Sequence, residues 1–397
     1  MRKLLEGSQA VAEAARLCRP QVVAAYPITP QTHIIERLAQ HVADGELEAE
    51  FINAESEFGA ASIVLGAVAG GARAFTATAS QGLLLMTEVL HNIAGMRLPV
   101  VMVCANRAVS APINIFNDHQ DSMALRDSGW IQLYAESNQE AADSVIQAYR
   151  IAEACELPVM VCMDGFYLTH SFEPVELPEQ AAVDDYLPPF HFARTLNPAR
   201  PMTLGGGSEP DNYQEYRVAQ HEAMENARAV IEAFDADFGE QFGRDYGGLV
   251  QGYRLEGAQT VVLGLGSLMG AVRDVVDRLR NQGRAVGALR LRCLRPFPAQ
   301  ALVEGLGSAQ RIIVLEKALS TGAGGIVAAE LRAALQQAGI TTPVESVIGG
   351  LGGRDLTPEV IETVIQGAGP DHAGSGCRFA PAHLPPTRNS KGEKAHG

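Results

Sequence analysis

No two of the six cysteines stand in a Cys-x-x-Cys spacing. Iron–sulfur clusters and structural zinc draw on closely spaced thiolates, so the chain is expected to carry neither by itself, and no spacing picks out a metal site. Cys104 and Cys162 lie inside apolar runs and Cys293 follows another, as reduced core thiols do. No apolar run approaches the roughly 18 residues that a membrane-crossing helix needs. The first residues, Met1-Arg-Lys-Leu-Leu-Glu-Gly7, hold cations with no apolar stretch behind them. That pattern predicts no signal peptide and a cytoplasmic location. Positive charge is also scarce: 31 Lys and Arg stand against 46 Asp and Glu, a net charge of −15. A nucleic acid would have to bind against the field of the whole protein.

What the chain does have is apolar and glycine-rich. Of its 397 residues 47% are hydrophobic and 19% charged, which specifies a globular protein of about two domains. The first part alternates short apolar runs with amphipathic segments. Strands are expected over 21–26, 48–53, 73–79, 98–104, 130–134 and 157–163. Helices are expected over 8–18, 30–44, 56–69, 82–94 and 138–155, with Asn138 capping the last. Continuous apolar strands between helices predict a parallel sheet covered on both faces.

Residues 174–250 break this rhythm and contain one long Ala- and Glu-rich helix over 213–242. The α/β alternation resumes over 251–370, with strands at 260–263, 285–292, 311–315 and 344–347. The fold class is therefore α/β. The expected organisation is a first domain over 1–173, a connecting segment over 174–250, a smaller α/β domain over 251–370, and a flexible tail over 371–397. Gly264-Leu-Gly-Ser-Leu-Met-Gly270 opens a helix after a strand, but its last spacing is one residue too long for a dinucleotide fingerprint. The following strand ends in arginines rather than an acid, so a plain glycine turn is expected.

Four polar features fall at strand ends or helix starts of the first domain. They are Thr29, the Glu55-Ser-Glu57 turn, Ser80-Gln81-Gly82, and Asn106-Arg107 with Asn117-Asp-His-Gln-Asp121 after it. In a parallel sheet all can converge on one edge. Thr29 is placed to cap the helix that follows, with Pro30 at its first position. Taken alone, Glu57 is a first-turn glutamate favoured by the helix dipole, and Arg107 a surface salt-bridge partner.

Together these segments resemble the α subunit of 2-oxoacid:ferredoxin oxidoreductases, the pyruvate type above all. The matching stretches are Tyr26-Pro-Ile-Thr-Pro30, Glu55-Ser-Glu57, Thr76-Ala-Thr-Ala-Ser-Gln-Gly82, Ala105-Asn-Arg-Ala-Val-Ser-Ala-Pro-Ile-Asn114, Asn117-Asp-His-Gln-Asp121, Asp164-Gly-Phe166, Leu294-Arg-Pro-Phe-Pro298 and Gly349-Gly-Leu-Gly-Gly-Arg354. They occur in the family's order from about residue 20 to 365.

The resemblance implies a pyrimidine-type thiamine-diphosphate-binding domain followed by a transketolase C-terminal-like domain. It also implies decarboxylation of a 2-oxoacid on thiamine diphosphate, electron transfer to iron–sulfur clusters, and acyl transfer to coenzyme A. The diphosphate and Mg2+ belong to a separate β subunit. In agreement, the Asp-Gly pairs here, Asp44-Gly45 and Asp164-Gly165, do not follow a glycine as a Gly-Asp-Gly diphosphate motif requires. Further partners implied are γ and ferredoxin-like δ subunits carrying the clusters, in a dimer of heteromers. Relatives that reduce NAD add a flavin subunit.

By resemblance, Glu57 faces the aminopyrimidine ring, where sharing a proton at neutral pH calls for a carboxyl whose pKa burial has raised. Glu55, Ser80 and Gln81 are further cofactor candidates. Arg107 pairs with the substrate carboxylate, since a guanidinium grips a carboxylate through two hydrogen bonds. Thr29 hydrogen-bonds the substrate, and its neutral hydroxyl suits a monocarboxylic 2-oxoacid. Asn106 and His119 are additional site candidates. The family often has Trp where Phe116 stands, which opens branched-chain acids or phenylglyoxylate, with NAD as acceptor, beside pyruvate with ferredoxin. A transketolase-like or dehydrogenase partner subunit and a non-catalytic scaffold are the competing readings. The Tyr-Pro-Ile-Thr-Pro and Asn-Asp-His-Gln-Asp segments argue against the first, and Glu57, Thr29 and Arg107 together against the second.

Overall fold

The computed structural model describes residues 2–367 and 376–381. Two sheets organise them. The larger has seven strands in the spatial order Cys293–Arg295, Ile131–Tyr134, Val159–Asp164, Val101–Asn106, Ala74–Thr78, Val22–Ala25 and Glu50–Asn53. Every pair in it is parallel except that formed by Cys293–Arg295. The central strands are buried at every position, because helices cover both faces and no position faces water.

The smaller sheet runs Cys377–Phe379, Val344–Ile348, Arg311–Glu316, Thr260–Gly264, Val286–Leu291 and Val250–Tyr253, again parallel but for the last strand. A two-stranded antiparallel ribbon joins Arg2–Glu6 to Phe172–Glu176. Between the sheets' chain segments run a short helix, Gln180–Tyr186, and a long one, Pro210–Phe242, the latter opened by Pro210 and stopped by Gly243 in the left-handed region at φ 72°. The long helix buries Ala227, Ile231, Asp235 and Phe238. Cys18, Cys104, Cys155, Cys162 and Cys293 are free thiols. No helix among the described residues is long and apolar enough to cross a membrane.

Several local expectations change. The helix after the Tyr26 turn begins at Thr32, not Pro30, and Thr29 caps nothing. Gln31 holds that turn instead: its Nε2 donates to Ala77 O at 2.6 Å and its Oε1 accepts from Ile28 N at 3.3 Å. A side chain tied to the neighbouring strand outcompetes the local cap. Ser137, not Asn138, caps the Asn138–Cys155 helix, accepting from Glu140 N at 3.2 Å. Cys293–Arg295, in sequence part of the second α/β segment, crosses to edge the larger sheet against Ile131–Tyr134. Within the stretch expected to be a flexible tail, Cys377–Phe379 is a strand registered against Ser346–Ile348. Residues 371–375 and 382–397 of that expectation lie outside the described residues.

Candidate active site

The order of the larger sheet places the functional segments. Val22–Ala25 connects outward to the edge strand Glu50–Asn53, while the strand on its other side, Ala74–Thr78, connects the opposite way to Val101–Asn106. Connections diverge between these two central strands, and ligands of open α/β sheets bind at the carboxyl ends of strands beside such a point. Thr29 and Ser80 follow the carboxyl ends of these two strands, Glu55 and Glu57 that of Glu50–Asn53, and Arg107 that of Val101–Asn106, whose last residue is Asn106. The expected convergence on one edge is thus present in the topology.

Glu57 opens the helix Glu57–Ala69, which Ser56 caps by accepting from Gly59 N at 3.1 Å. Its side chain is buried, yet no donor among the described residues hydrogen-bonds its carboxylate. The carboxylate instead rests on the backbone of Gly82: a Cβ there would meet Glu57 Oε1 at 2.5 Å and Thr78 Oγ1 at 2.6 Å. Glycine at 82 is what lets the acid lie so low. Thr78 Oγ1 is itself buried without a partner. A buried carboxylate and a buried hydroxyl, both unbonded, mark a place that a polar ligand group completes. Glu55, by contrast, is exposed and packs over Gly59.

Arg107 follows the all-buried Val101–Asn106 strand and is 7% exposed. Its Nη1 donates to Thr29 O at 2.9 Å and its Nε to Asn114 O at 3.2 Å. Thr29 and Arg107 therefore meet, through the threonine carbonyl rather than its hydroxyl. Nη2 has no partner among the described residues, and no carboxylate pairs with this guanidinium. Burial pushes its pKa down, partly offset by the nearby Asp121. A cation this dry and unpaired is poised for an anionic ligand.

Asp121 builds the frame beneath these groups. It is fully buried and accepts from Ser80 N at 2.8 Å, Arg107 N at 3.0 Å, Asn106 Nδ2 at 2.8 Å and Ser122 N at 2.8 Å. Burial raises its pKa, and these hydrogen bonds pull the other way. One carboxylate thus clamps two neighbouring strand-end turns and holds Ser80 at φ 50°, a conformation a side chain rarely adopts. It was not singled out from the sequence. Its signal was its place in the Asn117-Asp-His-Gln-Asp121 segment, in which an acid reads as an ordinary loop residue.

The other candidates divide. Ser80 Oγ is occupied with Ala108 O and Gln81 Oε1, each at 2.5 Å, whereas Gln81 Nε2 is buried and unpartnered. Asn106 is tied to Asp121 and Ser122 through Nδ2, with Oδ1 left unbonded. His119 lies elsewhere: fully buried, its Nε2 is 2.6 Å from Asp164 Oδ1.

Asp164 also accepts from Lys317 Nζ at 2.8 Å and Ser267 Oγ at 2.5 Å, so this cluster locks the smaller sheet onto the larger. Burial opposes the charge on Asp164, but Lys317 and His119 hold its pKa well below the usual carboxylate range. The glycine turn at 264–270 serves this contact, since a Cβ on Gly266 would lie 3.0 Å from Asp164 Oδ1 and from His119 Nε2. Gly352 and Gly353 complete it, their amides bonding Asp118 Oδ2 at 3.1 Å and Asn117 O at 2.6 Å.

Comparisons with known proteins agree with this architecture. Residues 13–236 match the family described as pyruvate flavodoxin/ferredoxin oxidoreductase, thiamine diphosphate-binding. Residues 258–361 match the pyruvate:ferredoxin oxidoreductase core domain II. Pyruvate synthase subunit PorA of Methanosarcina barkeri is 50% identical over 367 residues, 91% of either chain. The PorA subunit of Methanocaldococcus jannaschii is 51% identical over 368 residues, 91% of this chain and 94% of that one. The ketoisovalerate oxidoreductase subunit VorA of Pyrococcus horikoshii is 43% identical over 367 residues, 92% and 93% of the two. Among solved structures, 2-oxoglutarate:ferredoxin oxidoreductase from Magnetococcus marinus superposes with a TM-score of 0.71 at 21% identity. The match covers 92% of this chain and 65% of that one, and it shows a shared fold.

Proposed function

The chain belongs to the pyruvate flavodoxin/ferredoxin oxidoreductase family, and on that premise we propose that it is the pyrimidine-side half of a thiamine diphosphate site in a multisubunit 2-oxoacid oxidoreductase. The reaction is the oxidative decarboxylation of pyruvate to an acyl-coenzyme A and carbon dioxide, with electrons passing to iron–sulfur clusters on partner subunits and on to ferredoxin. The observation that carries this reading is the unbonded, buried Glu57 carboxylate seated on Gly82. A general acid–base carboxyl needs that burial and an open hydrogen-bonding face.

Thiamine diphosphate, when bound, supplies the carbon nucleophile for the 2-oxo group. This chain's residues do the rest of its half. Glu57 holds the proton shared with the aminopyrimidine ring nitrogen. Gln81 Nε2 and Thr78 Oγ1 offer the unpartnered polar atoms beside it. Arg107 receives the substrate carboxylate on its free Nη2, held in place by Thr29 O and Asn114 O. The Thr29 hydroxyl, exposed at the same turn, reaches the 2-oxo substrate.

A β subunit carries the diphosphate and Mg2+, because no Gly-Asp-Gly motif is present. Exposed apolar side chains support a partner at this edge: Tyr26, Phe58, Ile113 and Phe116 follow strand ends, and Ile52 lies in the edge strand Glu50–Asn53, Ile113 being 78% exposed. Coenzyme A is the acyl acceptor, and γ and ferredoxin-like δ subunits complete the complex.

Identity favours pyruvate, at 50% to a pyruvate synthase subunit against 43% to a ketoisovalerate one. The test is a panel of pyruvate, 2-ketoisovalerate and phenylglyoxylate on the co-purified complex, with ferredoxin, viologen and NAD as acceptors. The highest kcat/KM is expected for pyruvate with ferredoxin. A preference for a branched or aryl acid would overturn the substrate assignment, and inactivity with every 2-oxoacid would overturn the function.

A further inference from the structure

Three side chains outside the substrate edge converge on one point. Glu6 ends the Arg2–Glu6 strand, His33 stands in the first turn of the Thr32–Ala43 helix, and His170 follows the Val159–Asp164 strand. One ligand atom from each lies within 4.8 Å of the other two. His33 Nδ1 is 2.9 Å from Glu6 Oε1, and His170 Nδ1 is 4.0 Å from the same oxygen. The two imidazoles face each other with centroids 4.8 Å apart.

The spacing suits a metal. Bonds of about 2.0–2.2 Å put neighbouring donors of a tetrahedral or octahedral ion about 3.0–3.5 Å apart. The Glu6–His33 pair is already near that value, and His170 Nδ1, 2.7 Å from Thr169 Oγ1, would exchange that hydroxyl for the ion as it closes the remaining distance. Two imidazoles with one carboxylate select a borderline divalent ion such as Zn2+, Co2+, Ni2+ or Fe2+ over Mg2+ or Ca2+.

Environment points the same way. Glu6 is 7% exposed, and its carboxylate also takes part in the capping box that opens the Gly7–Leu17 helix, so the ion would share it with that helix start. The His33 side chain is 45% exposed, which leaves an entry path and room for water as the remaining ligands.

We propose that Glu6, His33 and His170 form a site for one divalent transition-metal ion, distinct from the cofactor edge. No sequence spacing announces it, since Glu6 and His33 alone are 27 positions apart. The ion would join the start of the ribbon, the helix that follows the Thr29 turn, and the loop after Asp164. That loop reaches the substrate edge through a ring stack: Phe166 lies 4.7 Å from His170 and 5.2 Å from Phe116. Its role is to brace the frame of the Thr29 turn.

The test uses the full chain, stripped with chelator and titrated with Co2+ while visible absorption and binding heat are followed. One equivalent is expected to bind with ligand-field bands and to be displaced by Zn2+. His33→Ala and His170→Ala are each expected to weaken binding at least tenfold, while His91→Ala, exposed elsewhere, leaves it unchanged. Zn2+ should also raise the Tm of the wild type but not of His33→Ala, because an ion that binds only the folded state stabilises it. Absence of Co2+ binding, wild-type affinity in either histidine variant, or a wild-type Tm indifferent to Zn2+ would overturn the site.

Discussion

Replacing Arg107 probes the substrate side of the site most sharply. Its guanidinium is 7% exposed, bonds two carbonyls from separate loops, and forms no direct ion pair with a carboxylate. A charge-assisted hydrogen bond to a ligand carboxylate in such a place is worth about 1.5–3 kcal/mol. At about 1.4 kcal/mol per factor of ten, Arg107→Ala should lower kcat/KM for the 2-oxoacid by roughly 10- to 150-fold. The loss should fall mainly on KM, because the carboxylate is held in ground state and transition state alike. Arg107→Lys keeps the charge but not the planar fork, so it should recover only part of the loss. The assay is steady-state reduction of viologen by the reconstituted complex, with coenzyme A saturating and the 2-oxoacid varied. A purely structural arginine would instead lower the Tm and the amount of active complex while leaving KM alone. Kinetics within twofold of wild type for Arg107→Ala would refute the assignment.

Three further outcomes follow from the same geometry. Gly82→Ala forces a Cβ to within 2.5 Å of Glu57 Oε1; overpacking of about 1–3 kcal/mol should weaken thiamine diphosphate binding to the complex by tenfold or more, read by cofactor titration. Lys317→Met leaves Asp164 buried without its ammonium, which should destabilise the fold by about 3–5 kcal/mol in chemical denaturation. Burial works against ionised Glu13, yet the His41 ring 3.3 Å away and hydrogen bonds from Arg37 outweigh it and hold its pKa at about 2, below the usual 4.5. A depressed carboxylate stabilises above its unfolded pKa and loses that stabilisation as the pH falls. The native chain should therefore lose on the order of 3 kcal/mol between about pH 4.5 and 2, and Glu13→Gln should flatten that part of the stability curve.

The larger sheet was readable from the chain because its strands are short apolar runs between amphipathic segments, and a buried parallel sheet leaves that period. The smaller sheet was readable for the same reason from Thr260 onward. What periodicity does not carry is long-range pairing. Cys293–Arg295 looks like the end of its own segment yet edges the other sheet, and the Arg2–Glu6 ribbon partners a strand far along the chain.

Thr29-Pro30 carries the local signature of a helix start, but Gln31 reaches the neighbouring strand and moves the start to Thr32. For the candidate site, motif order placed Glu57, Arg107 and Thr29 on one edge without their partners. That Arg107 holds Thr29 by its carbonyl, and that Asp121 clamps Ser80 and Arg107 together, depends on tertiary hydrogen bonds with no sequence period. His119 looked like a site residue because it neighbours such residues in the chain, but its ring is turned to Asp164 and the second sheet.

The central claim is that this chain supplies the acid–base carboxyl of a shared thiamine site, and Glu57→Gln in the assembled complex tests it most directly. The substitution keeps size and hydrogen-bonding shape but removes the proton-sharing group. The expected result is a complex that assembles normally, binds thiamine diphosphate, and loses at least a hundredfold in 2-oxoacid-dependent viologen reduction, in keeping with the usual contribution of general acid–base groups. A Glu57→Gln complex with wild-type turnover would contradict the account.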